Sequence, residues 1–484
     1  MHDLSHRRRM LVLAICCMSL LIVSLDNTVL NVALPSMRRE LDASVAGMQW
    51  TIDAYTLVLA SLLILAGSTA DRIGRRKVFS VGLALFTAGS LLCSLAPSLG
   101  WLVVFRMVQA VGGSMLNPVA MSLITNTFTD PRERARAIGV WGAVVGVSMA
   151  AGPLIGGLLV DSVGWRSIFW VNLPVGLVAL ALTLRYVPES RAEHPRRSDP
   201  VGQVLVMAVL AAVTYGIIEA PAAGWHSPPI LACAVVAAGA LAALLVYEPR
   251  RAQPLVDPRF FRSAPFSGAT VIAVSAFAAL SGFLFLNTLY LQDVRGLSAL
   301  HAGLYMLPMA ALTALCAPLS GRLVGARGPR LPLLVAGIAM AASGLLFAAF
   351  SAEASTPLMF AGYVLFGLGF GMVNAPITNT AVSGMPRAQA GVAAAIASTS
   401  RQTGGMLGVA VIGAVLAAGT AGGGDFAAAT RPAWWIITGC GLLVLAVGFA
   451  TSGPWAMTTA HRTAAALNPT PPPTLTRTAP PPTA

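Results

Sequence analysis

Apolar residues run in blocks of about 20 along nearly the whole chain, broken by short polar gaps. A block of that length crosses roughly 30 Å of bilayer hydrocarbon as an α-helix. The pattern predicts fourteen spans, at 10–34, 48–70, 78–97, 101–126, 137–160, 167–187, 201–220, 229–247, 265–291, 301–324, 331–350, 357–380, 391–418 and 434–452. The gaps between them are too short to hold a soluble domain. After His6-Arg7-Arg8-Arg9 the apolar run continues without a small-residue cleavage site, which predicts a retained first span rather than a secretory leader. The chain therefore reads as an all-α polytopic membrane protein.

Composition agrees with this. Of 484 residues, 56% are hydrophobic and only 10% charged, against about 25% charged in soluble domains. A net charge of +13 would suit a nucleic-acid binder, but the positive charges occur as small clusters between spans. Phosphate backbones need one contiguous basic face, so a nucleic-acid partner is excluded. The clusters instead set orientation. With the N-terminus inside, 24 Lys and Arg fall on the inner side, and only Arg38, Arg39, Arg166, Arg295 and Arg431 fall outside. Both termini are thus expected to face the cytoplasm. The six cysteines lie in apolar runs without metal or redox spacing, so no metal is expected. No loop carries a His/Asp/Glu cluster or a phosphate cradle, which argues against an enzyme.

The chain repeats itself. Gly67-Ser-Thr-Ala-Asp71-Arg72-Ile-Gly74-Arg75-Arg76 follows the second span, and Gly321-Arg-Leu-Val-Gly325-Ala-Arg-Gly328-Pro-Arg330 follows the tenth. Gly67/Gly321, Gly74/Gly328 and Arg76/Arg330 align without gaps at an offset of 254. Both copies lie on the same side, so the halves are parallel repeats. The expected organisation is a six-helix bundle over 1–187, linkers with two extra spans over 188–264, a second six-helix bundle over 265–452, and a disordered Pro/Thr-rich cytoplasmic tail over 453–484.

Polar side chains inside the spans are the candidates for chemistry, because a charge there is costly and usually functional. Asp26 lies within Val23-Ser24-Leu25-Asp26-Asn27-Thr28-Val29-Leu30-Asn31, roughly 24 Å from the inner end of its span at 1.5 Å per residue. Asp53 and Arg106 each lie about 7 Å below the outer end of theirs. The three share one level, so mutual pairing is the least costly arrangement. Around Asp26 desolvation favours the neutral acid and a nearby Arg106 the carboxylate, as a group that exchanges protons requires. In the loop motif, Gly67 permits close helix approach, Gly74 makes the turn, and Asp71 ends the span where a neighbouring helix N-terminus can receive it, with Arg72 and Arg75 anchoring the loop. The fifth span carries Gly139, Ala143, Gly146, Ala150, Pro153 and Gly157 at alternating steps of four and three, giving one smooth face suited to close packing or sealing between halves. Asn31, Gln109, Asn374, Arg401, Gln402 and Phe283 complete the set as candidate lining of a substrate cavity.

Taken together these residues resemble the major facilitator superfamily, specifically its fourteen-helix drug:proton antiporter branch, over roughly 10–452. Leu25-Asp26-Asn27-Thr28-Val29-Leu30-Asn31-Val32-Ala33-Leu34-Pro35 is similar to the branch's first-helix motif, and Gly67 to Lys77 to the superfamily's loop motif. Arg106-Met107-Val108-Gln109-Ala110-Val111-Gly112-Gly113 resembles the fourth-helix motif, whose arginine is implicated in proton transfer. Gly139 with Gly152-Pro153-Leu154-Ile155-Gly156-Gly157 resembles the antiporter motif. Ser148 stands where that motif usually has glycine, and Gly325 where the second loop motif can carry an acid. The resemblance implies a bacterial cytoplasmic-membrane exporter of amphiphilic toxic compounds or antibiotics. It would work by alternating access, driven by the proton gradient without a cofactor, with a single chain as a sufficient unit. Export of one specific metabolite, or proton-coupled uptake, stays open as the alternative.

Overall fold

The computed structural model describes residues 5–192, 199–251, 254–350, 355–383, 385, 389–420 and 426–467. Among these every regular element is helical: α1 (His6–Leu41), α2 (Val45–Ile73), α3 (Arg75–Ser94), α4 (Leu99–Thr127), α5 (Pro131–Ser162), α6 (Ser167–Trp170), α7 (Asn172–Tyr186), α8 (Pro200–Ala223), α9 (Pro228–Tyr247), α10 (Ala264–Leu289), α11 (Ala299–Arg327), α12 (Arg330–Phe350), α13 (Thr356–Val382), α14 (Ala390–Thr420), α15 (Phe426–Thr451) and α16 (Pro454–Leu467). Fourteen helical stretches are long and apolar enough to cross a membrane, with α6 and α7 together forming the sixth. The fourteen predicted spans are all present. An even number returns the chain to the face on which it started, here termed the near face; the other is the far face.

Helices α1–α7 pack into one bundle and α10–α15 into a second. Side-chain caps fix several helix starts: Ser44 accepts from Gly47 N, Asp130 from the amides of Arg132 and Glu133, and Asp199 from Gly202 N. These satisfy amides that the first helical turn leaves without partners. The inserted α8 lies against both α2 and α14, one helix from each bundle. Its Gln203 donates to the Ser61 carbonyl, Thr214 contacts Met406 Sδ at 3.0 Å, and Glu219 accepts from Trp50 Nε1 at 2.7 Å. Helix α9 packs chiefly on α8 and otherwise turns its apolar side chains outward.

The two bundles meet at the far face. A methyl at Gly157 would lie 2.5 Å from Leu300 Cα, and one at Gly303 would lie 2.3 Å from the Pro153 carbonyl oxygen, so α5 and α11 are in backbone contact there. Asp161 accepts from the amides of Ala299 (3.1 Å) and Leu300 (2.9 Å), capping the first turn of α11 from the opposite bundle. Gln292, in the π-helical turn Tyr290–Val294 that follows α10, donates to Val32 O at 2.8 Å. Beside it Arg38 pairs with Asp293 at 3.3 Å. Gln49 of α2 donates to Val409 O (3.1 Å) and Ala410 O (2.8 Å) of α14. Toward the near face α5 and α11 part. A methyl at Gly139, Gly142, Gly321 or Gly325 would meet nothing within 4 Å. Joined at the far face and apart below it, α5 and α11 leave an opening between the bundles toward the near face.

One expectation is corrected. The segment past 452 was expected to be disordered throughout, yet Pro454–Leu467 forms α16. Ala456, Ala460 and Thr463 recur at helical spacing and are buried against α10 and the turn Pro258–Arg262, while Thr459 Oγ1 accepts from Ala264 N at 2.9 Å. A small-residue face with this periodicity is enough to dock a short helix. Residues 468–484 lie outside the described residues.

Candidate functional site

Asp26 and Arg106 meet inside the first bundle. Asp26 Oδ2 accepts from Arg106 Nη1 at 2.5 Å. Asp26 Oδ1 accepts from Gln109 Nε2 at 2.8 Å and from Asn172 Nδ2 at 2.9 Å. Arg106 also donates from Nη1 to Gln109 Oε1 (2.8 Å) and from Nε to Thr51 O (3.2 Å). Its guanidinium lies 4.2 Å over the Tyr55 ring. Behind Asn172, Ser90 Oγ accepts at 3.0 Å and in turn donates to Phe169 O at 2.8 Å. Arg106 and Gln109 are fully buried, and Asp26 is 4% exposed.

Small residues create the room. A methyl at Gly89 would lie 2.6 Å from Gln109 Cα, so α3 and α4 touch through their backbones where the amide side chain turns toward Asp26. One at Gly113 would lie 2.8 Å from Tyr55 Oη. A buried charge pair is tolerable when the geometry is good and further hydrogen bonds satisfy the remaining donors and acceptors. Here both carboxylate oxygens are satisfied by α4 and α7, while the cation is divided between α1 and α2, its Nη2 having no hydrogen-bond partner and the Tyr55 ring beneath the guanidinium. The arrangement can hold a charge pair out of water, and a change in the charge of Asp26 acts directly on the group that touches α2.

Asp53 does not join the cluster. It is fully buried, and both its carboxyl oxygens lack a hydrogen-bond partner. Depth along the helix placed it correctly near the level of Arg106, but the expected pairing fails on azimuth. Gln49, one turn before it, faces α14, and neighbouring Trp50 faces α8, so this side of α2 turns away from Arg106.

Among the candidate lining residues, three are corrected. Gln109 belongs to the buried Asp26 cluster, not to a cavity wall. Asn31 is buried and donates to Asn27 O on its own helix at 2.8 Å. Phe283 is fully buried in the second bundle, stacked on Phe366 at 4.0 Å and edge-on to Phe347, Tyr363 and Trp434. Arg401, Gln402 and Asn374 are at least partly open. Arg401 Nη2 donates to the exposed Thr378 Oγ1 at 2.5 Å, and Thr378 donates to Asn374 O at 3.2 Å. The Arg401 guanidinium also sits 6.0 Å from the Phe277 ring, while its Nε has no partner. This makes a polar strip shared by α13 and α14 in the second bundle.

The motif residues divide by partner. Gly67 lies against Pro118, which a methyl would approach to 3.6 Å. Gly74 has φ +125°, a backbone region that L side chains rarely adopt, and a methyl there would meet the Glu189 carboxylate at 2.6 Å. Asp71 pairs at 2.7 Å with the side chain of Arg75, the first residue of α3. The Asp71 carbonyl accepts from Ala192 N at 3.1 Å and Arg75 N donates to Ser190 O at 2.9 Å, so the turn clasps the chain leaving α7. Arg72 sits on the exposed face of the same turn. On α5, Gly152 and Gly156 face Thr28 and Val29 of α1, whereas Gly157 and Pro153 face α11. The expected smooth face therefore meets α11 through Gly146, Pro153 and Gly157, while Gly152 and Gly156 beside it turn to α1.

Asn172, Ser90, Thr51 and Tyr55 are parts of the cluster that sequence reasoning missed. Asn172 lies in Trp165–Pro174, a stretch that reads as an interfacial aromatic belt. Its one small amide just before Pro174, in a span start otherwise apolar, was the available signal.

Residues 16–409 match the family model described as Major Facilitator Superfamily. The chain is 39% identical over 413 residues to the multidrug resistance protein Stp of Mycobacterium tuberculosis, covering 85% of this chain and 77% of Stp. It is 39% identical over 398 residues to the tetracenomycin C resistance and export protein of Streptomyces glaucescens, covering 82% and 74% respectively. Among solved structures, a bacterial homologue of the human lysosomal transporter Spinster, inward-facing and unoccupied, superposes with a TM-score of 0.65 at 20% identity over 95% of this chain and 98% of that one. The fold, the repeat and a match over most of the chain agree: this chain belongs to the major facilitator superfamily.

Proposed function

We propose that this carrier exports amphiphilic toxic compounds, antibiotics among them, across the bacterial cytoplasmic membrane in exchange for protons. The observation that carries the reading is the Asp26–Arg106 pair, enclosed within one bundle and linked to the helix that touches the other. Arg106 donates to Thr51 O of α2, and Gln49, two residues earlier on α2, donates to α14. When Asp26 takes a proton, its hold on Arg106 weakens and α2 is free to shift against α14. Relatives named for multidrug resistance and for tetracenomycin C export support small-molecule efflux. The excess of Lys and Arg on the near face supports placing that face in the cytoplasm. The opening toward it then admits substrate from inside, and the Arg401–Thr378–Asn374 strip faces the arriving compound.

The gradient is sufficient. A transmembrane potential contributes about 2.3 kcal/mol per charge per 100 mV. At an assumed ~150 mV, one proton per neutral substrate supplies roughly 3.4 kcal/mol, about a 300-fold gradient. The test is drug uptake into inverted vesicles with an imposed inside-acid gradient. Wild type accumulates drug and loses it when the gradient is collapsed, and Asp26→Asn loses gradient-driven uptake. Full uptake by Asp26→Asn would remove Asp26 as the coupling acid, and accumulation without a gradient would remove antiport altogether.

A further inference from the structure

A half-open cavity of about 250 Å³ lies between α2, α8, α10 and α14, on the near-face half of the seam between the bundles. It is separate from the Asp26 cluster, and neither Arg401 nor Asn374 lines it. One part of its wall is apolar, with Ile64, Val206 and Val274. The other includes Ser61, Gln203 and Thr399, and each of these residues holds a buried side-chain oxygen with no hydrogen-bond partner. Ser61 is 3% exposed and Gln203 4%. The Gln203 amide nitrogen is already committed to the Ser61 carbonyl, which holds the side chain in place and leaves its oxygen free.

Buried polar atoms are nearly always paired, so three unpaired oxygens on residues that line one cavity mark places where small side-chain rotations would meet a polar ligand. Among the described residues the lining contains no ionisable side chain, and an ion there would meet no countercharge. Gln203 Oε1 only accepts, whereas the two hydroxyls donate or accept. The complementary group therefore carries a donor and an acceptor together, as a hydroxyl, phenol or amide does, on an apolar body. Ligand sites commonly combine an apolar wall with a few fixed polar groups in this way.

We propose that this cavity is a binding site for an uncharged, hydroxyl- or amide-bearing amphiphile, distinct from the central opening. Ser61 belongs to the first bundle, Thr399 to the second and Gln203 to the inserted α8. A ligand seated among them touches both halves, so it binds this arrangement better than one in which α2 and α14 have moved apart. The two extra helices thereby acquire a role, since α8 supplies one wall and one of the three polar groups.

The test is equilibrium binding of radiolabelled chloramphenicol, an uncharged aromatic molecule with two hydroxyls and an amide, to the full-length carrier in lipid nanodiscs. Wild type is expected to bind saturably. Gln203→Leu and Thr399→Val are each expected to weaken binding at least tenfold, with thermal unfolding of Thr399→Val unchanged. Val235→Ala, on the outward face of α9, is expected to bind as wild type. Thr399→Val leaves the Gln203–Ser61 contact intact, so it carries the test alone if Gln203→Leu fails to fold. Absence of saturable wild-type binding would mean that the cavity holds water only and would overturn the proposal. Loss of binding in Arg401→Gln with retention in Thr399→Val would assign the ligand to the central opening and would also overturn it.

Discussion

The two bundles are parallel repeats, yet their centres are built from opposite chemistry. At the offset of 254 that aligns the loop motifs, Asp26 falls at Leu280 and Arg106 at Phe360. The first bundle is centred on a charge pair held by Gln109 and Asn172. The second is centred on Phe283, Phe347, Tyr363, Phe366 and Trp434, packed ring on ring. Its polar contacts near the rings are between neutral groups, as where Tyr363 Oη donates to Asn287 Oδ1 at 3.0 Å. An aromatic cluster is rigid and indifferent to protons, whereas a charge pair has two states. The comparison teaches that one half can serve as the fixed body and the other as the half that responds.

Removing the cation should separate the halves most sharply. Arg106→Leu leaves Asp26 buried without its partner, and breaking a buried pair costs about 3–5 kcal/mol. Gradient-driven transport in vesicles should vanish, and the thermal unfolding temperature in detergent should fall. Retained pH-dependent transport in this variant would break the comparison. The converse change is Phe283→Ala, which truncates the aromatic cluster at a cost of about 3–5 kcal/mol. Its unfolding temperature should fall as far, while the protein that remains folded keeps the wild-type dependence of transport on pH. A changed pH profile would show that the second bundle also responds to protons. The smallest change, Asn172→Ala, removes one hydrogen bond to a charged group, about 1.5–3 kcal/mol. It should lower transport roughly tenfold or more at 1.4 kcal/mol per decade, with the carrier still folded. Transport at the wild-type rate would make Asn172 a bystander.

Much of this was legible from one-dimensional rules. Span length gave all fourteen helices, and depth counting put Asp26 and Arg106 on one level because an α-helix advances by a fixed rise. What depth cannot supply is azimuth. Asp53 sits at the right height on the wrong side of α2, and Gln109, read as cavity lining, turns inward to Asp26 because Gly89 lets α3 approach its backbone. Phe283 failed for a related reason, since a span aromatic packs equally well against lipid, a cavity or other rings. Asn172 was hidden by neighbours that gave its stretch a sufficient explanation of another kind. Helix α16 was hidden because its face is built from Ala and Thr, residues too weakly apolar to stand out beside a Pro-rich tail.

Asp161 has a further consequence. Its carboxylate holds two main-chain amides of α11 at the rim of the far face, and those amides have no helical carbonyl of their own. When the rim opens, water replaces the carboxylate on the amides and the amides on the carboxylate. The contact is therefore a catch rather than a weld. It specifies where the two halves must return without making departure slow, and it does so with backbone groups that no substitution on α11 other than proline removes.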